Sequence, residues 1–252
     1  MAADNILRIT KAGFSEEGYG TFDSRTQTAT LTRCCEKTIS IESNGITLTS
    51  NGARVEAATQ NGIRLVNVSN IRIHNIEIHH SKMGIYAGTG RNIDIDEVGI
   101  FECTYGISFE QLDGLTVSDC RCKGMMQEAI SGERSSNLLV RNLQSEWSPQ
   151  GIVIHGSKNI LLENNLITTE LFSCIAVANC LNLTIKDNTL FGGEETLHIN
   201  QCMGKIEISS NRITTICNAA GMLGEHTGCL YSERPGQTNE ARRYKMSLMN
   251  EI

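Results

Sequence analysis

The stretch Gly151-Ile152-Val153-Ile154-His155-Gly156-Ser157-Lys158-Asn159-Ile160-Leu161-Leu162-Glu163-Asn164-Asn165-Leu166-Ile167 decides the fold. Ile152 and Ile154 alternate with other residues, then Ile160 and Leu162 do the same, and Leu166 opens a third apolar run. A period of two over so few residues marks short strands, each buried on one face. The breaks between the runs, His155–Lys158 and Asn164-Asn165, are polar and turn-forming. No part of the stretch keeps a 3.6-residue apolar period, so helices do not compete for it.

The same pattern recurs on both sides, from Gly62 to Thr214. A landmark dipeptide marks it: Asn70-Ile71, Asn92-Ile93, Gly114-Leu115, Asn137-Leu138, Asn159-Ile160, Asn182-Leu183 and Lys205-Ile206, at steps of 22 or 23 residues. Gly62-Ile63, Gly84-Ile85, Gly106-Ile107, Ala129-Ile130 and Gly151-Ile152 open successive repeats. A fixed period carried by strands means a solenoid. The expected fold is all-β: a right-handed, single-stranded parallel β-helix of about eight coils, with three short strands per coil and irregular caps at both ends. Asn at corners such as Asn75 and Asn142 suits a left-handed backbone, and stacked Asn side chains bond along a column.

Three segments follow. Residues 1–37 do not fit the repeat and form an N-terminal cap or irregular first coil. Residues 38–216 form the β-helix. Residues 217–252 form a C-terminal cap and tail, with Asn239–Met246 expected as a short helix.

Composition narrows the function. The 252 residues are 40% hydrophobic, enough for a continuous core, and the formal charge is -6, which argues against a nucleic-acid partner, since that would select a basic face. No run of 18 apolar residues exists to cross a membrane. The N-terminus lacks the basic start and apolar core of a signal peptide. Cytoplasmic or virion placement is therefore expected, with most of the ten cysteines reduced and packed as small hydrophobes. Cys180 and Cys202 fall at equivalent places in successive repeats and stack as neighbours. Cys34-Cys35 and Cys120-x-Cys122 have no matching second pair, so no metal and no cofactor is expected. His79-His80 reads as a turn.

Gly-Ile-x-Val, a turn, Asn-Ile-x-Ile and then Asn-x-Ile resemble the parallel β-helix repeats of pectate-lyase-like proteins, over roughly Ile39 to Thr214. That resemblance implies the fold. The superfamily holds polysaccharide lyases, hydrolases, epimerases, viral spikes and non-catalytic scaffolds, so it does not imply one activity. The Asp-Asp and Gly-His-Gly motifs of polygalacturonase-like enzymes are missing here; His155-Gly156 is a fragment, and Asp94-x-Asp96 has the wrong form for the Asn-x-Asp of those enzymes.

Outward columns supply the candidate residues, since equivalent positions in successive coils lie about 4.8 Å apart. Beyond the first strand, Glu110, Glu133 and His155 stack in consecutive coils. Carboxyls about 5 Å apart suit a retaining glycosidase. Without that activity the row is a solvated ladder in which His155 relieves the repulsion. On the second strand, the column His74, Asp96, Ser118, Arg141, Glu163, Lys186, Ser209 alternates in sign and reads as a salt-bridged face with no function. The neighbouring column, Arg72, Asp94, Thr116, Leu139, Leu161, Thr184, Glu207, places Leu139 and Leu161 side by side facing out. With Val153 they form a candidate interface.

Two functions remain. The first is a non-catalytic scaffold that binds protein partners or assembles with itself through its flat faces. The alternative is a carbohydrate-active or polysaccharide-binding protein using Glu110, Glu133 and His155.

Overall fold

The computed structural model describes residues 5–58, 60–193 and 195–216, together with the strands Glu225–His226 and Cys229–Ser232. Among these residues there are strands and turns but no helix. The strands stack in parallel as a β-solenoid of about 8 turns. Ile39, Ile63, Ile85, Ile107, Ile130, Ile152, Ile175 and Leu197 lie in register, one above the next, on the first face. The core is one continuous apolar column, with Ile71, Ile73, Ile93, Ile95, Leu115 and Val117 at 2% exposure or less on the second face. β-branched residues dominate because the buried face of a strand packs them well. On the third face the inward residue is Ile167, at 0% exposure; Leu166 points out at 45%.

The expected three short strands per coil hold only in part. Met83–Phe101 is one strand of 19 residues that passes through two corners. The first corner turns on two left-handed residues, Thr89 and Asn92, and the second on one, Glu97; at corners of both kinds backbone N–H groups still reach the next coil, so the ladder does not break. Asn67 N donates to Gly88 O at 3.0 Å, and Asn179 N to Asn200 O at 2.9 Å. The left-handed positions recur in columns: Asn70, Asn92, Asn137, Asn159 and Asn182 form one, and Asn75, Glu97, Asp119, Asn142, Asn164 and Asp187 another. Left-handed backbone costs an ordinary L-residue roughly 1–2 kcal/mol, and least for Asn and Asp. In the last coils the turning residues are Asp187 and Ser210, while Asn188 and Asn211 follow them inside the corner.

The residue just inside a corner also has an N–H to satisfy, and the following coil provides the acceptor. Leu112 N donates to Ser135 Oγ, Ser135 N to Ser157 Oγ, and Ser157 N to Cys180 Sγ, at 3.0, 3.0 and 3.3 Å. At a second corner Leu143 N, Asn165 N and Asn188 N donate to the side-chain oxygens of Asn165, Asn188 and Asn211. Asn165 Nδ2 and Asn188 Nδ2 continue this ladder, each at 2.9 Å from the next oxygen. Cys103 accepts from Ser81 N at 3.3 Å. Several cysteines thus do more than fill space. Of the free cysteines, only Cys34 is exposed among the described residues.

The N-terminal segment joins the stack. Ile6–Thr10 pairs in parallel below Thr38–Ile41, and Thr28–Leu31 below Thr47–Ser50. Between them Gly20–Asp23 folds back antiparallel on Thr28–Leu31, and Phe14, Tyr19 and Phe22 pack against the core at that end. Covering the last rung in this way protects an edge that would otherwise invite pairing with another chain. At the other end Cys229–Ser232 pairs in parallel with Leu197–Asn200, one rung past residue 216. Asn239–Met246 lies outside the described residues.

Candidate functional site

A groove of about 510 Å³ opens on the second face, lined by Arg72, Asn92, Ile93, Asp94, Asp96, Gly114, Thr116, Ser118 and Arg141. Its origin is a difference in side-chain length between stacked coils. Gly114, Thr116 and Ser118 are small and form the middle. Arg72, Asp94 and Asp96 rise on one side, and Arg141 on the other. Gly114 interrupts the Asn column in the left-handed region (φ +87°), and a Cβ there would meet Asn92 Oδ1 at 3.2 Å.

The groove's charges are organised around one guanidinium. Arg72 Nη2 donates to Asp96 Oδ2 at 2.7 Å, and Arg72 Nε lies 3.6 Å from Asp94 Oδ2. Ser118 Oγ donates to Asp96 Oδ1 at 3.1 Å, and His74 Nδ1 lies 3.1 Å from Asp96 Oδ2. Burial pushes the Asp96 carboxyl up, but the hydrogen bonds from Arg72, Ser118 and His74 outweigh it and hold the carboxyl below its ordinary value. Burial, followed by the neighbouring Asp96 charge, raises Asp94 against the pull of Arg72 and Arg141. Among the described residues the Arg141 guanidinium makes no hydrogen bond or ion pair, although Asp94 feels its charge. His74 Nε2 faces Glu97 Oε2 at 4.0 Å. The ligand-capable atoms of His74, Asp96 and Glu97 all lie within 4.8 Å of one another.

On the first face Glu110, Glu133 and His155 stand in register. Arg134 resolves the repulsion: its Nη2 reaches Glu110 Oε2 at 2.9 Å, and its Nη1 bonds Glu133. Tyr86 Oη donates to the other oxygen of Glu110, which raises the phenol above its ordinary value. His155 turns away, with Nε2 2.8 Å from Asn179 Nδ2. The expectation that His155 offsets the paired carboxylates is therefore corrected, because Arg134 sits in the corner between them. This row does not line the groove.

Leu139 and Leu161 pair in register, and with Val153 they face outward half-buried. A more exposed group of large apolar residues lies elsewhere. Trp147, Leu166, Leu171, Phe172 and Phe191 are 43–61% exposed on the third face and its corner. Lys123 Nζ sits 4.2 Å from the centre of the Trp147 ring. On the same face His79 lies against Phe101, ring centres 4.8 Å apart, and its Nε2 lies 3.2 Å from Glu77; His80 pairs with Glu102 at 2.8 Å.

The small-residue coil could have been found in the sequence, since Gly114, Thr116 and Ser118 break the run of charged outward positions. Nothing in the spacing indicated that His74 and Glu97 would face each other across two coils.

A family model described as "Periplasmic copper-binding protein (NosD)" matches residues 37–228. The chain belongs to the NosD family. The match spans the groove, the Glu110 row and most of the described coils. No curated protein matches this NosD-family chain. Solved structures that resemble it include the Azotobacter vinelandii mannuronan C-5 epimerase AlgE6 A-module, at 11% identity and TM-score 0.43, covering 75% of this chain and 68% of that one. The catalytic domain of a GH87 alpha-1,3-glucanase in complex with nigerose is 12% identical, with TM-score 0.37, covering 78% of this chain and 38% of that one. The GH136 lacto-N-biosidase from Eubacterium ramulus is 9% identical, with TM-score 0.36, covering 84% and 68%.

Proposed function

We propose that this NosD-family chain recognises carbohydrate in the groove of its second face, where Asp94 and Asp96 supply carboxyls to a bound sugar. The observation that carries the reading is the groove itself. It is concave, runs across four coils, and offers carboxylates, two hydroxyls and an unpaired guanidinium with no aliphatic floor other than Ile93. Sugars present rows of hydroxyls, and a surface rich in both donors and acceptors matches them. A carboxyl pair on one strand is also the equipment for general acid and base work on a glycosidic bond. The scaffold reading, with Leu139, Leu161 and Val153 as contacts, ranks second, because those side chains are half-buried and Val153 lies on a different face from the two leucines.

Calorimetric titration with a panel of neutral and acidic oligosaccharides tests this. Saturable binding that is lost in Thr116→Trp, which fills the groove, and weakened in Arg141→Ala is the expected result. Binding that survives Thr116→Trp would remove the groove from the account. If turnover is seen, Asp94→Asn should abolish it while leaving binding intact.

The family description also names copper, and the donors available favour one form of it. The buried thiols are withdrawn from solvent, so among the described residues no thiolate cluster is open to copper(I). The imidazole and carboxylates of His74, Asp96 and Glu97 suit copper(II) instead.

A further inference from the structure

We infer that Cys180 and Cys202 form a dithiol–disulfide pair that ties two successive coils together when the chain meets a disulfide oxidant. The inference is independent of the groove. Ala178 pairs with Asn200 and Leu181 with Met203, which sets Cys180 against Cys202 at the corner between the first and second faces. Met203 N donates to Cys180 O at 2.8 Å, so the two coils are bonded at that point. Stacking places such residues about 4.8 Å apart. That lies inside the span of about 4.4–6.8 Å between α-carbons that a disulfide bridges. The side chains also point the same way. Cys180 Sγ lies 3.2 Å from Ala178 O and 3.8 Å from Ile154 O; Cys202 Sγ lies 3.5 Å from Asn200 O and 3.6 Å from Val177 O. One sulfur therefore stands above the other, and Cys202 Sγ also accepts from the Cys180 backbone N–H. Two other buried cysteines have no such partner: Cys122 lies between Ile100 and Ser145, and Cys35 pairs with Val55.

The pair is asymmetric. The Cys180 thiol donates a hydrogen bond to Cys202, which lowers the Cys202 thiol against the effect of burial and raises that of Cys180. Cys202 is also the more exposed, at 6% against 1%, and its coil borders looser packing, where Ile206, Ile208 and Ile213 are only partly buried. Local opening at that end gives an oxidant access. The thiolate is the nucleophile, so Cys202 attacks first. Its sulfur bonds to one sulfur of the oxidant disulfide and expels the other half as a thiolate. Cys180 then loses its proton, turns about its Cα–Cβ bond and attacks Cys202 Sγ, expelling the second half. The two cysteines lose two electrons and two protons, and the oxidant takes them up as two thiols.

Equilibration of the folded full chain with oxidised and reduced glutathione, followed by acid quenching, alkylation and non-reducing tryptic mapping, tests the pair. The expected product joins peptide 159–186 to peptide 187–205 with loss of two hydrogens. Cys174 shares the first peptide, so the bridge should persist in Cys174→Ser and vanish in Cys180→Ser. In Cys180→Ser the glutathione adduct should collect on Cys202, at least about tenfold faster than on Cys180 in Cys202→Ser. Oxidation should raise the melting midpoint of the parent by roughly 5–10 °C, the scale for closing a loop of one coil, and leave Cys202→Ser unchanged. Recovery of both cysteines as free thiols under fully oxidised glutathione, or a bridge that forms only after denaturation, would overturn the pair. Faster adduct formation on Cys180 would overturn the assigned order of attack.

Discussion

The ring of Phe109 fills the space in the adjoining coil that a side chain on Gly132 would need. Both positions belong to the inward column that otherwise reads Leu65, Ala87, Ile154 and Val177. Gly132 breaks the apolar pattern because its neighbour is a phenylalanine, larger than the aliphatic residues in the adjoining coils. The volume of two coils is shared unequally between them, as close packing requires.

Gly132→Ala should therefore destabilise the chain by about 1–3 kcal/mol through overpacking. Phe109→Leu should cost a similar amount by leaving a cavity. Combined, the two should cost clearly less than their sum, since each relieves the other. Urea denaturation of the four chains measures this coupling, and strict additivity would mean that the two sites do not share volume.

At the corner, Cys180 acts as an acceptor for Ser157 N–H. Cys180→Ser restores the hydroxyl already used at Ser135 and Ser157, so its denaturation midpoint should stay near that of the parent. Cys180→Val leaves the buried N–H without a partner, at a cost of about 1–3 kcal/mol. Equal behaviour of the two variants would reduce this cysteine to a space-filling role.

The buried Asn ladder predicts a larger effect. Asn188 accepts from both the backbone N and Nδ2 of Asn165. Asn188→Leu removes the one oxygen that accepts both bonds and should cost on the order of 2–4 kcal/mol. Hydrogen exchange at Asn165 N–H should accelerate in the same variant; unchanged protection would contradict the assignment.

Asp113 gives a prediction in pH. Hydrogen bonds from Ser136 and then Asn137 hold its carboxyl below the ordinary value. A depressed carboxyl stabilises the fold at pH values above its unfolded value, and that contribution is lost as pH falls through the folded one. Asp113→Asn should thus melt below the parent at neutral pH, with the gap closing from about pH 4 downward. A gap that widens on acidification would reverse the sign and refute the account.

The sequence made the core legible because burial on one face of a strand leaves a period of two. Ile71, Ile93, Leu115 and Leu138 could be placed inside from spacing alone. Leu166 could not, because it sits next to Ile167 and either could face in; the register of the stack decides. Left-handed corners were legible where Asn occupies them, as at Asn70 and Asn137. They were hidden at Arg134, Glu97 and Trp147, where stacking imposes a conformation that the residue itself does not favour. The groove was hidden for a different reason. It depends on what four coils present side by side, so Asp94 and Asp96, each ordinary alone, gain a role only from Arg72, Ser118 and Arg141 around them.

Two of the corner ladders point one way. Leu112, Ser135 and Ser157 donate from the backbone to a side chain in the coil that follows, as do Leu143, Asn165 and Asn188. A coil is thus chemically complete only when its successor is in place. For a chain emerging from the ribosome, the growing end always carries unsatisfied donors, and each new coil heals the one before it. The stack matures with a lag of one turn, and a chain cut short within it would end on a raw, hydrogen-bond-hungry surface.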